Sequence, residues 1–214
     1  GADFDVIAAH HERDSDAGCQ EFAAGHAGYA GMLRGGELGT TEGGCPDPRR
    51  IITIADIVPR EPTTASAWCP WLEMWVCAIK DYNWTRSKQP VCIRRRSSTA
   101  AVGSDPRDSY DAIMAHLERR RRQVPQAEWA ETPLFVTPAG KCWETTQARA
   151  LAHKWAVCLN IPTKEAGSKS FRIRGATDVA AMHGAEDGAR LVQQIGRCGI
   201  RMSRSSTHAR KVLE

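Results

Sequence analysis

An α+β fold, mainly helical and carrying one small three-stranded sheet, is what these 214 residues predict. Apolar residues recur at helical spacing over 19–33, 145–159 and 171–195, whereas β-branched and apolar runs are confined to 50–58, 71–79 and 91–95. The length suits one substantial core, so 1–214 reads as a single domain.

The first helix shows one apolar face in Cys19, Phe22, Ala23, His26, Tyr29, Ala30 and Leu33, and Gly35-Gly36 is placed to stop it. After a Gly-rich turn over 39–47, Arg50 to Val58 reads as a strand ended by Pro59. Trp71 to Ile79 and Val91 to Arg95 read as two more, joined by a polar turn containing Asp81, Asn83 and Ser87. The run Arg94-Arg95-Arg96-Ser97-Ser98-Thr99 either grips phosphates or blunts an exposed sheet edge. Asp105-Pro106 then reads as an N-cap with Pro at the first helical position, and Tyr110, Ile113, Met114 and Leu117 form that helix's inner face. Arg119 to Arg122 crowd its far end, where a solvated group of cations suits the helix dipole. Thr145 or Thr146 caps the next helix, lined inside by Ala148, Leu151, Ala152, Trp155 and Leu159. Two last helices follow, one through Phe171, Ala176, Val179 and Ala180 and one through Leu191, Val192 and Ile195. Gly184 breaks them apart and Gly196 closes the second.

Charge is uneven along the chain. Residues 1–50 hold four Lys/Arg against nine Asp/Glu, and 51–214 hold twenty-five against sixteen. A basic body of this kind favours a polyanionic partner. The eight cysteines are scattered singly, with no Cys-x-x-Cys pair, and read as reduced core thiols rather than metal ligands or disulfides. No apolar run reaches the roughly 18–20 residues a membrane-spanning helix needs, and the N-terminus lacks signal-peptide character.

Three boxes stand out. The first is Leu33-Arg34-Gly35-Gly36-Glu37-Leu38, the second Lys169-Ser170-Phe171-Arg172-Ile173-Arg174-Gly175-Ala176-Thr177, and the third Ile195-Gly196-Arg197-Cys198. In this order, with three strands after the first, they resemble the catalytic region of the tyrosine recombinases (phage-integrase family). The closest pattern is that of integrase-like sequences in eukaryotic mobile elements. The resemblance runs from the first helix to the tail and implies the tyrosine-recombinase catalytic-domain fold, its small sheet antiparallel. No N-terminal core-binding domain is expected, because the thirty-three residues before Arg34 are too few for one.

The same resemblance assigns roles. Arg34 and Arg172 would supply forked donors to the nonbridging oxygens of a DNA phosphate, with Glu37 bracing the turn that presents Arg34. Lys80, or alternatively Lys88, would be the hairpin lysine that protonates the leaving 5′-oxygen. Lys169 occupies one histidine position of the family and Arg197 the other. The tyrosine nucleophile is expected nine residues past Arg197, and Ser206 stands there; the three tyrosines are Tyr29, Tyr82 and Tyr110, all upstream. A serine hydroxyl has a high pKa and a shorter reach than a phenol, so the expected protein binds DNA with a degenerate cleavage site. The alternatives are an active recombinase using Ser206 or a tyrosine supplied in trans, and a non-catalytic helical interaction module. Double-stranded DNA is the expected partner, bound by a monomer or a homo-oligomer, with no membrane, cofactor or metal. An intracellular, reducing location is expected, nuclear in a eukaryote.

Overall fold

The computed structural model describes residues 2–40, 43, 47–61, 69–77, 88–96 and 105–195. Its architecture is mixed α+β, mainly helical, with a small three-stranded antiparallel sheet. The helices are α1 (Ala2–Ala9), α2 (Asp16–Ala30), the short α3 (Gly35–Leu38), α4 (Ser109–Gln123), α5 (Thr145–Cys158), α6 (Ser170–His183) and α7 (Ala185–Ile195). The strands β1 (Ile57–Arg60), β2 (Trp71–Val76) and β3 (Gln89–Arg94) pair in sequence order with β2 central. Alternation decides which sheet face is inside: Leu72, Met74 and Val76 of β2 and Val91 and Ile93 of β3 are buried with Ile57 of β1. Helices α2, α4 and α5 close the core over that face, and α6 packs on α2.

Several boundaries differ from the sequence reading, each for a local reason. The first expected strand over 50–58 opens instead as a 3-10 turn, Ile54–Asp56, because the Asp56 carboxylate accepts both the amide (2.7 Å) and the hydroxyl (2.7 Å) of Thr53. Strand pairing therefore starts at Ile57 and passes through Pro59, which sits on an edge strand where a missing N–H is tolerated. The N-cap of α4 is Asp108, not Asp105: its carboxylate accepts the amides of Tyr110 (2.9 Å) and Asp111 (3.4 Å). Asp105 instead accepts the amide of Arg107 at 2.9 Å. At the start of α5 the Gln147 side chain accepts the Glu144 amide at 2.7 Å, so Glu144 takes the cap position expected of Thr145 or Thr146. The six cysteines described are all free thiols, but only Cys19 is a core residue: Cys69, Cys77, Cys142 and Cys158 are half-buried and Cys92 is exposed.

The arginine run at the end of α4 is not a solvated terminus. Arg119 donates to the carbonyls of Asp14 (2.8 Å) and Arg13 (3.2 Å), Arg120 to that of Pro133 (3.2 Å), and Arg121 to that of Ile57 (3.1 Å) while lying 4.6 Å over the Trp129 ring. Three guanidinium groups thus tie the 13–14 and 133 loops and the start of β1 to α4, an arrangement a rigid fork serves better than an ammonium. Arg95 is likewise structural, forming a nearly buried two-pronged pair with Asp111 at 2.9 and 3.4 Å that fastens β3 to α4.

Three histidines sit in the core as neutral rings. His11 accepts the Trp155 indole N–H at 2.8 Å, His26 pairs with the Ser109 hydroxyl at 2.9 Å, and His116 donates to the Leu134 carbonyl at 2.9 Å. Burial pushes their pKa values down, to about 4 for His11 and His116 and to about 3 for His26. An unfolded chain takes up these three protons near pH 6.5, whereas the folded chain declines them until much lower pH. The stability this neutrality contributes is therefore complete above pH 6.5 and is lost progressively down to about pH 3–4. The fully buried rings of His26 and His116 withdraw the most, on the order of 3 kcal/mol each, and His11 less. Urea midpoints are expected to fall steadily between pH 7 and pH 4.5; a flat profile would show that these rings titrate without cost.

Candidate active site

The first box begins where α2 ends. Leu33 donates its amide to the Gly28 carbonyl (2.9 Å) and Met32 its amide to Tyr29 (3.2 Å), a helix-closing pattern that needs one residue in the left-handed region. That residue is Met32, at φ 48°, although Gly31 stands beside it. The strain is held by burial, since Met32 is packed into the interior. The two glycines expected to stop the helix have another use. They open α3, and at Gly35 a Cβ would lie 2.5 Å from the Ser168 side chain, so only glycine lets the second box come this close.

Arg34 precedes α3 in extended conformation and is held by Glu37. The buried Glu37 carboxylate accepts the Arg34 amide at 2.7 Å and its Nη1 at 3.2 Å, leaving the guanidinium a quarter exposed. Glu37 thus holds both the backbone and the side chain of Arg34. Beyond α3, Thr40 donates its amide to Trp143 (2.7 Å) and its carbonyl accepts the Thr145 amide (2.9 Å), which ties the segment to the start of α5.

The second box arrives on α6. Helix α6 crosses α2 through glycines on both sides: a Cβ at Gly175 would lie 2.3 Å from the Tyr29 carbonyl oxygen, and one at Gly28 would lie 3.0 Å from Phe171. This crossing carries Arg172 to the end of α2, where its Nη1 donates to the Met32 carbonyl at 3.2 Å across 140 residues of sequence. Met32 is two peptide steps, of about 3.8 Å each, from Arg34. Lys169 is exposed just before the first turn of α6, beside Ser168. Backbone packing thus brings the segments that carry Lys169 and Arg172 against the segment that carries Arg34.

The remaining candidates divide. Lys88 lies next to β3 and forms an ion pair with Asp56, which fixes its ammonium at the 3-10 turn before β1. Lys80, Arg197, Cys198 and Ser206 lie outside the described residues, as does Gly196. Sequence reasoning missed Met32 and Ser168. The carbonyl of the first accepts from Arg172, and the side chain of the second fills the space that the missing Cβ of Gly35 leaves; neither residue type signals such a role.

Chemically, these neighbouring segments carry two planar guanidinium groups and an ammonium, with the buried Glu37 carboxylate against Arg34. Guanidinium groups suit tetrahedral oxyanions, which they bind through charge-assisted, two-pronged hydrogen bonds. Among the described residues no helix is long and apolar enough to cross a membrane. Comparison with protein-family models, curated proteins and solved structures finds no match for this chain.

Proposed function

We propose that this chain is a tyrosine-recombinase-like catalytic domain that binds double-stranded DNA through a phosphate cradle of Arg34, Lys169 and Arg172, and that its strand-cleaving nucleophile is lost at Ser206. The observation that carries this reading is the hydrogen bond from Arg172 to the Met32 carbonyl, which brings the second arginine box against the first. Ordered boxes alone arise by chance more easily than boxes that also meet in space. The basic balance of residues 51–214 supports a polyanion as partner.

In this reading Arg34 and Arg172 share the nonbridging oxygens of one backbone phosphate. Glu37 keeps the Arg34 fork aimed and lowers the cost of holding it still. Lys169 adds a flexible charge at the rim. Arg95 and Arg119 to Arg121 likewise hold the protein's own carboxylates and carbonyls, away from the two arginine boxes.

The test is duplex binding at several salt concentrations. Binding is expected to weaken steeply with salt, with a log–log slope near −0.9 for each phosphate neutralised. Arg172→Ala removes a contact worth roughly 1.5–3 kcal/mol, about tenfold to a hundredfold in affinity, and makes the slope shallower by about one phosphate. Arg172→Lys keeps the slope but not the full affinity, because the fork is gone. If Arg172→Ala lowers the urea midpoint and leaves affinity and slope untouched, the residue only fastens α6 to Met32 and the cradle reading fails.

A further inference from the structure

Four aromatic rings meet at a second site. Phe4 of α1, Tyr29 of α2, Trp155 of α5 and Phe171 of α6 line one cleft of about 240 Å³. Trp155 and Phe171 stand edge to face at 5.1 Å, and Phe4 meets Tyr29 at 4.9 Å and Trp155 at 5.9 Å. The mouth is polar and carries three carboxylates, Asp3, Glu165 and Asp178, against one guanidinium, Arg174. Arg174 bridges the first and last of these, 2.9 Å from Asp3 and 3.2 Å from Asp178. The Tyr29 hydroxyl donates to Asp178 at 2.8 Å. Glu165 is exposed at the rim and forms no ion pair among the described residues.

These walls and this mouth select the same kind of molecule. Ring faces attract cations and offer apolar bodies a surface free of polar groups. A mouth with two more negative than positive groups repels anions and gives a neutral ligand no charge to pair with. Burial pushes the Tyr29 phenol up to about 12, so it stays a neutral donor across the physiological range. We propose that this cleft binds an organic ammonium ion, an alkyl or aryl amine whose apolar body lies among the four rings and whose charge faces Glu165 and Asp178. Ser170, Phe171, Arg174 and Asp178 share one face of α6 at 100° per residue, and Arg172 lies on another, so this site is separate from the arginine cradle.

The experiment is a titration of the full chain followed by the Trp155 indole N–H resonance, with phenethylammonium as probe. Its neutral and anionic counterparts, 2-phenylethanol and phenylacetate, are the comparisons. Phenethylammonium is expected to saturate at a concentration at least tenfold below that of the alcohol, and phenylacetate to leave the resonance unmoved. Glu165→Gln, at an exposed position, narrows the preference for the amine severalfold. Ala166→Trp, at the partly exposed rim, fills the cleft and abolishes saturation without lowering the urea midpoint. Equal binding of amine and alcohol, no saturation at all, or full binding by a folded Ala166→Trp chain each overturns the proposal. A dimer in sedimentation that Ala166→Trp dissociates also overturns it, since a second copy of the chain would then occupy the cleft.

Discussion

Ser206→Tyr is expected to give this chain a covalent protein–DNA adduct on a suicide duplex, one in which the cleaved strand cannot religate, where the parent chain gives none. The expectation rests on what remains of the proposed cradle. In that proposal Arg34 and Arg172 would neutralise the charge that builds on the nonbridging oxygens of a five-coordinate phosphorus. What is missing is an oxygen able to reach that phosphorus. Ser206, outside the described residues, occupies the position nine residues past Arg197 where the family resemblance places a tyrosine. A phenol extends the reach by several ångströms and leaves as a far better stabilised oxyanion than an alkoxide. The yield is expected to be low, because Lys169 and Cys198 also depart from the family's boxes and groups in one site do not contribute additively. Adduct formation by the parent chain, abolished in Ser206→Ala, would make Ser206 itself the nucleophile. A Ser206→Tyr chain that binds duplex and never links to it would show that the cradle cannot stabilise the transition state.

Gly175→Ala is expected to destabilise the protein although it adds a single methyl group. Alanine normally favours a helix over glycine by roughly 0.8–1 kcal/mol, so local propensity alone predicts a gain. The crossing reverses the sign. The added carbon would lie 2.3 Å from the Tyr29 carbonyl oxygen, a backbone atom of α2 that cannot rotate aside. Helix α6 must then retreat by about an ångström, at a cost of roughly 1–3 kcal/mol in strain and lost contact. Phe171, 5% exposed in its present seat, loses packing as it moves. Arg172 leaves the Met32 carbonyl with it, so duplex affinity should fall as far as in Arg172→Ala. Thr177→Ala, on the exposed side of the same helix, is the comparison and should change the urea midpoint by no more than a few tenths of a kcal/mol. A Gly175→Ala chain as stable as the parent would mean that α6 does not cross α2 this closely.

Local rules carried the sequence reading a long way because they act within a few residues. Periodicity put helices over 19–33 and 145–159, where α2 (Asp16–Ala30) and α5 (Thr145–Cys158) stand, and runs of β-branched and apolar residues marked the strands that became β2 and β3. The buried faces named for α4 and α5 also stand, with Met114 and Leu159 only partly covered. Helix α1 gave no such signal. Eight residues are too few to hold a helix in water, and this one depends on Phe4 stacking over His26 at 4.4 Å.

What the sequence by itself determined is the longer helices and two of the strands, which follow from neighbours along the chain, and, through the family resemblance, Arg34 and Arg172 as candidates. Only the tertiary structure decided which acceptor each cation holds. Arg95 belonged to a run that reads as a phosphate grip or a blunted sheet edge, and Arg119, Arg120 and Arg121 to one that reads as a solvated helix end. Their partners, Asp111, Asp14, Pro133 and Ile57, are placed by the packing of α4 against the sheet and its loops, not by the residues beside them. The glycines divide in the same way: Gly35 looks like a helix stop until Ser168 is found 2.5 Å from where its Cβ would be. A guanidinium binds whatever acceptor is nearest, and a glycine matters for whatever backbone approaches it, so both depend on distances that only the folded chain sets.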